Sequence, residues 1–144
     1  MPFPEISFYN EGISFRVRQI KLVKAWLLLC VEQEKKEIDA ISIILCSDED
    51  LLSVNQTYLQ HDTYTDIITF DYSAEYRISG DLFISVDRVR ENAKRYEVPL
   101  TDELHRVIIH GTLHLCGYKD KTPEEKELMR KKENDALALR KAIF

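Results

Sequence analysis

Ile38-Asp39-Ala40-Ile41-Ser42-Ile43-Ile44-Leu45-Cys46 carries isoleucine on both faces of an extended chain, so it reads as a central strand covered from two sides. Downstream, Ser47 is placed to cap a helix running to about Leu59. Upstream, the charged stretch Glu32 to Glu37 reads as a turn. Before it, Ile20, Val23, Leu27, Cys30 and Val31 recur at helical spacing, and Glu5 to Tyr9 reads as a first strand. Thr65 to Tyr72 and Ile78 to Ser85 follow as two strands joined by a short polar turn, which makes them antiparallel neighbours. Ser85 then caps a helix whose apolar stripe is Val86, Val89, Ala93 and Tyr96. Pro99 enforces a break, after which Thr101 is expected to cap the next helix. Thr122-Pro123-Glu124-Glu125 opens the last one, with a capping threonine, proline in the first turn and Glu125 completing a capping box.

The order β, α, β, α, β, β, α, α, α predicts an α+β (α/β-like) domain: a mixed sheet of about four strands with about five helices packed around the helix that follows Pro99. The 144 residues hold only four glycines and four prolines, with no linker, repeat or low-complexity stretch, so residues 1–144 read as a single domain with its own core. Cys30, Cys46 and Cys116 are scattered through apolar segments without a CxxC partner. They read as small buried hydrophobes in a reducing compartment, which makes a cytoplasmic protein the expectation. The first residues lack a basic region followed by an apolar run, and the longest apolar run, Ala25 to Val31, is too short to span a bilayer. Neither secretion nor membrane association is expected.

The chemistry concentrates in His110-Gly111-Thr112-Leu113-His114-Leu115-Cys116-Gly117-Tyr118-Lys119-Asp120. Residues i and i+4 lie about one turn apart on one helical face, so both imidazoles can point at a single ion. Gly117 can take the left-handed conformation that ends the helix, letting Asp120 swing back as a third ligand. Two neutral imidazoles and one carboxylate suit Zn, and also Fe, Mn or Ni. Three protein ligands, none of them a thiolate, leave a position open for water. His-x-x-x-His alone is common in helices. Here, however, Leu104, Val107, Ile108, Ile109, Leu113, Leu115 and Cys116 make the helix apolar on nearly every side, and two buried histidines need partners.

From His110 to Tyr118 this stretch resembles the bacterial endoribonuclease YbeY family, whose motif reads His-Gly-x-Leu-His-Leu-x-Gly-Tyr-Asp-His. Lys119-Asp120 stands where the family has Asp-His, so the third ligand would be Asp120 rather than histidine. A carboxylate adds negative charge and leaves the metal a weaker Lewis acid. The segment from Asn55 to Phe70, with Thr65-Asp66-Ile67-Ile68-Thr69-Phe70, is similar to the family's Thr-Asp-Val-Leu-Ser-Phe segment, and the Gly80-Asp81 strand follows it. The arginine that the family commonly carries after the tyrosine of that segment is replaced here by Leu59. Arg106, one turn before His110 on the same face, matches a basic position of the family helix. It is a candidate to hold a phosphate, the plainer reading being an ion pair with Asp102 or Glu103.

The resemblance implies a single-strand-specific metallo-endoribonuclease acting in ribosomal RNA maturation, notably at the small-subunit 3′ end, and in ribosome quality control. The implied partners are single-stranded RNA and ribosomal RNA or subunits, without DNA. A net charge of −5 and a pI near 5.4 do not favour phosphate attraction overall; local clusters (Arg16, Arg18, Lys21 and Lys24; Arg88, Arg90, Lys94 and Arg95; Lys119 and Lys121) still permit it, although such runs are more often solvated faces. Gly111 occupies the position where a His-Glu-x-x-His protease carries its general base, which argues against that chemistry. The base must come from elsewhere or be the metal-bound hydroxide itself; the side-chain candidates are Asp81, Asp66 and His61, the last also a candidate to touch substrate. Asp66 could equally cap a turn, and His61 could simply be exposed. Two other readings stay open: a metallohydrolase of another substrate, and a non-catalytic, metal-stabilised ribosome-associated factor.

Overall fold

β1 (Glu5–Glu11), β2 (Glu37–Cys46), β3 (Ile67–Asp71) and β4 (Arg77–Ser85) form one sheet in the spatial order β1-β2-β4-β3. These elements come from a computed structural model that describes residues 3–59 and 65–144. The β1–β2 and β2–β4 pairs are parallel and the β3–β4 pair antiparallel, so the sheet is mixed. The isoleucine-rich strand is interior, and both its faces are covered. Ile41, Ile43 and Leu45 enter the main core, whereas Cys46 joins Leu51 and Ile68 in a smaller cluster on the other face.

Five α-helices surround the sheet among the described residues: α1 (Ile20–Gln33), α2 (Asp48–Leu59), α3 (Val86–Arg95), α4 (Leu100–Leu115) and α5 (Pro123–Ala138). Their starts follow local chemistry. Ser47 Oγ accepts from Asp50 N–H at 3.1 Å, and Ser85 Oγ accepts from Arg88 N–H at 3.2 Å. Thr122 and Glu125 form the reciprocal capping box expected of them. Two expectations are corrected. Thr101 caps nothing, because α4 begins two residues earlier than that cap would place it, at Leu100 with Pro99 at its N-cap and no side-chain cap bond. Tyr96 leaves the apolar stripe of α3: it is the C-cap residue and 56% exposed, because Glu97 turns left-handed (φ 55°) and reverses the chain there.

α4 is buried by α3, α5 and the sheet, as its apolar circumference predicts. Gly111 is the reason it lies so close to the strands. A Cβ there would sit 2.7 Å from Ile67 Cδ1 and 2.9 Å from Leu82 Cδ2, so the side of α4 next to His110 has no room for a larger residue. Trp26 of α1 is fully buried and donates from Nε1 to the Ala136 carbonyl at 2.7 Å, tying α1 to α5. All three cysteines are buried and free, and burial pushes each thiol up to about 12. No helix among the described residues is long and apolar enough to cross a membrane.

His105, on the far side of α4 from the other histidines, packs against Trp26 and Phe144, with Arg140 donating to its Nδ1 at 2.9 Å. Burial, with the Arg140 charge second, lowers its pKa from 6.5 to about 4. Between those two values the unfolded chain binds the proton and the folded chain does not. Stability is therefore full above about pH 6.5 and falls as pH drops towards 4, by about 2–3 kcal/mol from this residue. Chemical denaturation of wild type and His105→Gln at pH 7 and pH 4.5 checks this: the variant should lose less on acidification, and equal losses would refute it.

Candidate metal centre

α4 ends in a Schellman motif. Gly117, at φ 107°, donates its N–H to the His114 carbonyl at 3.0 Å, and Tyr118 N–H reaches the Leu113 carbonyl at 3.1 Å. Glycine is required at that left-handed position, and the reversal brings Asp120 back over the helix. The turn is anchored at Tyr118, whose hydroxyl donates to Glu34 and whose ring lies under Lys132 Nζ, 5.4 Å from its centroid.

The result is a tripod. His110 Nε2 and His114 Nε2 are 3.0 Å apart, and Asp120 Oδ2 lies 3.2 Å from the first and 3.5 Å from the second. Both Nδ1 atoms are engaged elsewhere: His110 Nδ1 with Glu133 Oε2 at 2.7 Å, and His114 Nδ1 with the Tyr118 carbonyl at 2.8 Å. Each of those partners is an acceptor, so each Nδ1 carries the ring proton and each neutral Nε2 presents a lone pair. Two nitrogen lone pairs and a carboxylate oxygen thus converge with no hydrogen between them, a grouping that a cation would satisfy. Ligands at about 2.0–2.1 Å from a tetrahedral ion stand roughly 3.3 Å apart, close to these separations. The donor set fits zinc and equally Mn, Fe or Ni.

Glu133 of α5 is the participant that sequence reasoning missed. It is 5% exposed and accepts from His110 and from Arg106 Nη1, the latter at 2.8 Å. Burial alone would raise its carboxyl pKa, but the hydrogen bonds from His110 and Arg106 outweigh that and leave it below the usual range. For His110, burial pushes the pKa down while Glu133, Asp120 and Asp66 push it up, with a net rise. A signal for Glu133 existed: it shares one face of α5 with the buried Met129 and Ala136, an unusual place for a carboxylate.

The other candidates separate. Asp66, just before β3, lies against the tripod and lines the hollows on either side of it. Burial, partly countered by His110, holds its carboxyl above the usual range. Asp81 does not reach the histidines. Its neighbours Gly80 and Leu82 face Leu115 and Gly111 of α4, so strand alternation turns Asp81 to the opposite face, where Tyr72 donates to it at 3.2 Å. Arg106 pairs with neither Asp102 nor Glu103. It spans to α5, to Glu133 and to Asn134 Oδ1 at 2.9 Å, while Asp102 pairs with Arg140. His61 lies outside the described residues. Leu59 is 44% exposed and lines the groove on the His114 side, together with Lys119.

Two hollows meet at His110 and Asp120. One of about 410 Å³ between α3, α4 and α5 is walled by Asp66, Tyr96, Arg106, Lys126 and Arg130. The other, of about 670 Å³, runs along β3 and the end of α2. The tripod therefore sits in the floor of an open, continuous depression.

Comparison with known proteins gives concordant matches. Residues 5–140 fit the sequence profile of the family described as Endoribonuclease YbeY. Proteins named Endoribonuclease YbeY from Parabacteroides distasonis and Phocaeicola vulgatus are 52% and 53% identical to this chain over 134 residues, 93% of it and 94% and 97% of theirs. A solution structure of TM1509 from Thermotoga maritima superposes with a TM-score of 0.63 at 26% identity, covering 95% of this chain and 92% of that one. Matched to the family over residues 5–140 and about half identical to these relatives over 93% of its length, the chain belongs to the Endoribonuclease YbeY family.

Proposed function

We propose that residues 1–144 form one zinc-dependent endoribonuclease domain. It cuts single-stranded RNA in the cytoplasm during ribosomal RNA maturation, including 3′-end processing of the small-subunit RNA, and in ribosome quality control. Ribosomal RNA or ribosomal subunits are its partners. The observation that carries this reading is the convergence of His110 Nε2, His114 Nε2 and Asp120 Oδ2 where two open hollows meet. Family membership supplies the substrate class.

His110, His114 and Asp120 hold the ion. When bound, it supplies polarisation of a phosphodiester oxygen and a water acidic enough to be a nucleophile near neutral pH. Asp66 accepts the proton of the attacking water. It lines the depression beside His110 and, unlike Glu133, is not held by Arg106; burial raises its carboxyl above the usual range, which favours proton uptake. Lys126 and Arg130 on the depression wall place the phosphate, and the exposed ring of Tyr96 offers a stacking face for an unpaired base. Arg106 acts through Glu133, since its guanidinium is held by α5.

One observation favours a second reading. Leu59 puts an apolar side chain in the groove where the family commonly has arginine, which fits a factor that binds RNA without cutting it. End-labelled single-stranded RNA and a duplex of the same sequence separate the two. Zinc-loaded protein should cut the single strand alone, chelation should abolish cutting, and re-addition of zinc should restore it. Protein that verifiably holds zinc but cuts neither substrate would establish the binding role instead.

A further inference from the structure

A groove of about 870 Å³ lies between the segment leading into α1 and the start of α4, walled by Arg16, Arg18, Gln19, Leu100, Thr101 and His105. It is separate from the metal centre. His105 precedes His110 by five residues, which places it about 7 Å along the helix axis and on another face.

The charges in this groove are unlike those elsewhere in the molecule. Of the nine arginines in the chain, Arg77, Arg88, Arg95, Arg106, Arg130 and Arg140 each reach a carboxylate, and Arg90 lies over the Phe15 ring. Among the described residues, Arg16 and Arg18 have neither kind of partner, and both are exposed. Lys21 and Lys24 follow in the first turns of α1. There the helix dipole is positive, no acidic residue offsets it, and no side chain caps the helix.

A second observation points the same way. His105 is 3% exposed, and its Nδ1 accepts from Arg140, so the proton sits on Nε2. That Nε2–H has no hydrogen-bond acceptor among the described residues, and the ring forms part of the groove wall. An unpaired imidazole N–H and two guanidinium groups line this groove, with Lys21 and Lys24 following on the adjoining helix, in a chain whose net charge is −5. Each of them would be satisfied by an anion.

We propose that this groove binds the phosphodiester backbone of the RNA strand at nucleotides away from the cut, an inference that rests on the nuclease reading above. The hollow is far larger than one phosphate requires. Its apolar wall of Phe15, Val17, Ile20 and Leu104 suits sugars and bases between successive phosphates. Short RNA fills the metal centre alone, and longer RNA engages both sites.

The test compares zinc-loaded wild type with Arg16→Ala/Arg18→Ala and Arg16→Lys/Arg18→Lys. Binding of a 2′-O-methylated single strand is measured by fluorescence anisotropy over a range of salt concentrations, and cleavage is followed on unmodified RNA. Losing two phosphate contacts should lower the salt slope by about 1.4 and weaken binding of a strand of about 20 nucleotides roughly twentyfold at 0.1 M salt. Cleavage of an oligomer of about four nucleotides should be unchanged, and the lysine variant should keep most of the slope. Wild type that cuts RNA, with an alanine variant whose slope is unaltered, would overturn the groove assignment alone. Saturable binding of inorganic phosphate, lost in the alanine variant while the RNA slope stays the same, would reassign the groove to a small anion and overturn it too. Wild type that neither binds nor cuts RNA would remove the nuclease reading, and this inference with it.

Discussion

His114→Ala should leave a folded protein that holds no stoichiometric zinc and has lost RNA cleavage by on the order of a thousandfold or more. The side chain is 27% exposed, and its contacts with the Tyr118 carbonyl, the His110 ring and Asp120 all lie at the tripod, outside the hydrophobic core, so its removal costs the fold little. In the proposed metal centre, however, it is one of three donors. Two remaining ligands, His110 Nε2 and Asp120 Oδ2, do not form a closed facial set. Lewis-acid charge stabilisation is worth several kcal/mol in such sites, which corresponds to about three orders of magnitude in rate. Metal content by elemental analysis and cleavage of single-stranded RNA read the two consequences separately. A variant that binds zinc normally and still cuts would exclude His114 from the site. Asp120→Ala should behave similarly in cleavage while retaining weak metal binding through the two imidazoles.

Glu133→Ala should weaken zinc binding about ten- to a hundredfold, although Glu133 supplies no donor atom to the tripod. Its carboxylate holds the proton of His110 on Nδ1, which keeps the Nε2 lone pair directed at Asp120 and His114. Alanine would also leave the Arg106 guanidinium, itself only 25% exposed, without its counter-charge and with Asn134 as its remaining partner. Breaking one side of such a buried pair costs about 3 kcal/mol or more, so the metal-free protein should unfold at markedly lower denaturant. Glu133→Gln separates the two effects. Its amide oxygen can still accept from His110, so zinc affinity, read by competition with a chelating dye, should recover while the loss of stability largely persists. Equal zinc affinities for wild type and both variants would show that the ring of His110 is held by packing alone.

Much of this site follows from short-range rules. The i, i+4 spacing of His110 and His114 and the glycine at 117 are local facts of helix geometry, and the tripod that they imply is the one found, with Asp120 closing it. The same holds for the element order, because strand alternation, helical spacing and the caps at Ser47, Ser85 and Thr122 act within a few residues of one another. Thr101 does not cap α4, since the capping preference of threonine is weak beside a proline at the N-cap that already starts the helix at Leu100.

What the amino-acid sequence determined by itself is therefore the set of elements, the two-sided burial of β2 and the three converging donors. Tertiary structure alone decided the rest. Which face of β4 meets α4 removes Asp81 from the site and packs Gly111 against Leu82, a matter of sheet order and register that no local pattern encodes. Glu133 reaches His110 across 23 residues only because α5 folds back along α4, and the same return captures Arg106. Long-range pairings of this kind depend on chain reversal and packing, not on spacing. They set the proton position on His110 and hence the direction of its lone pair.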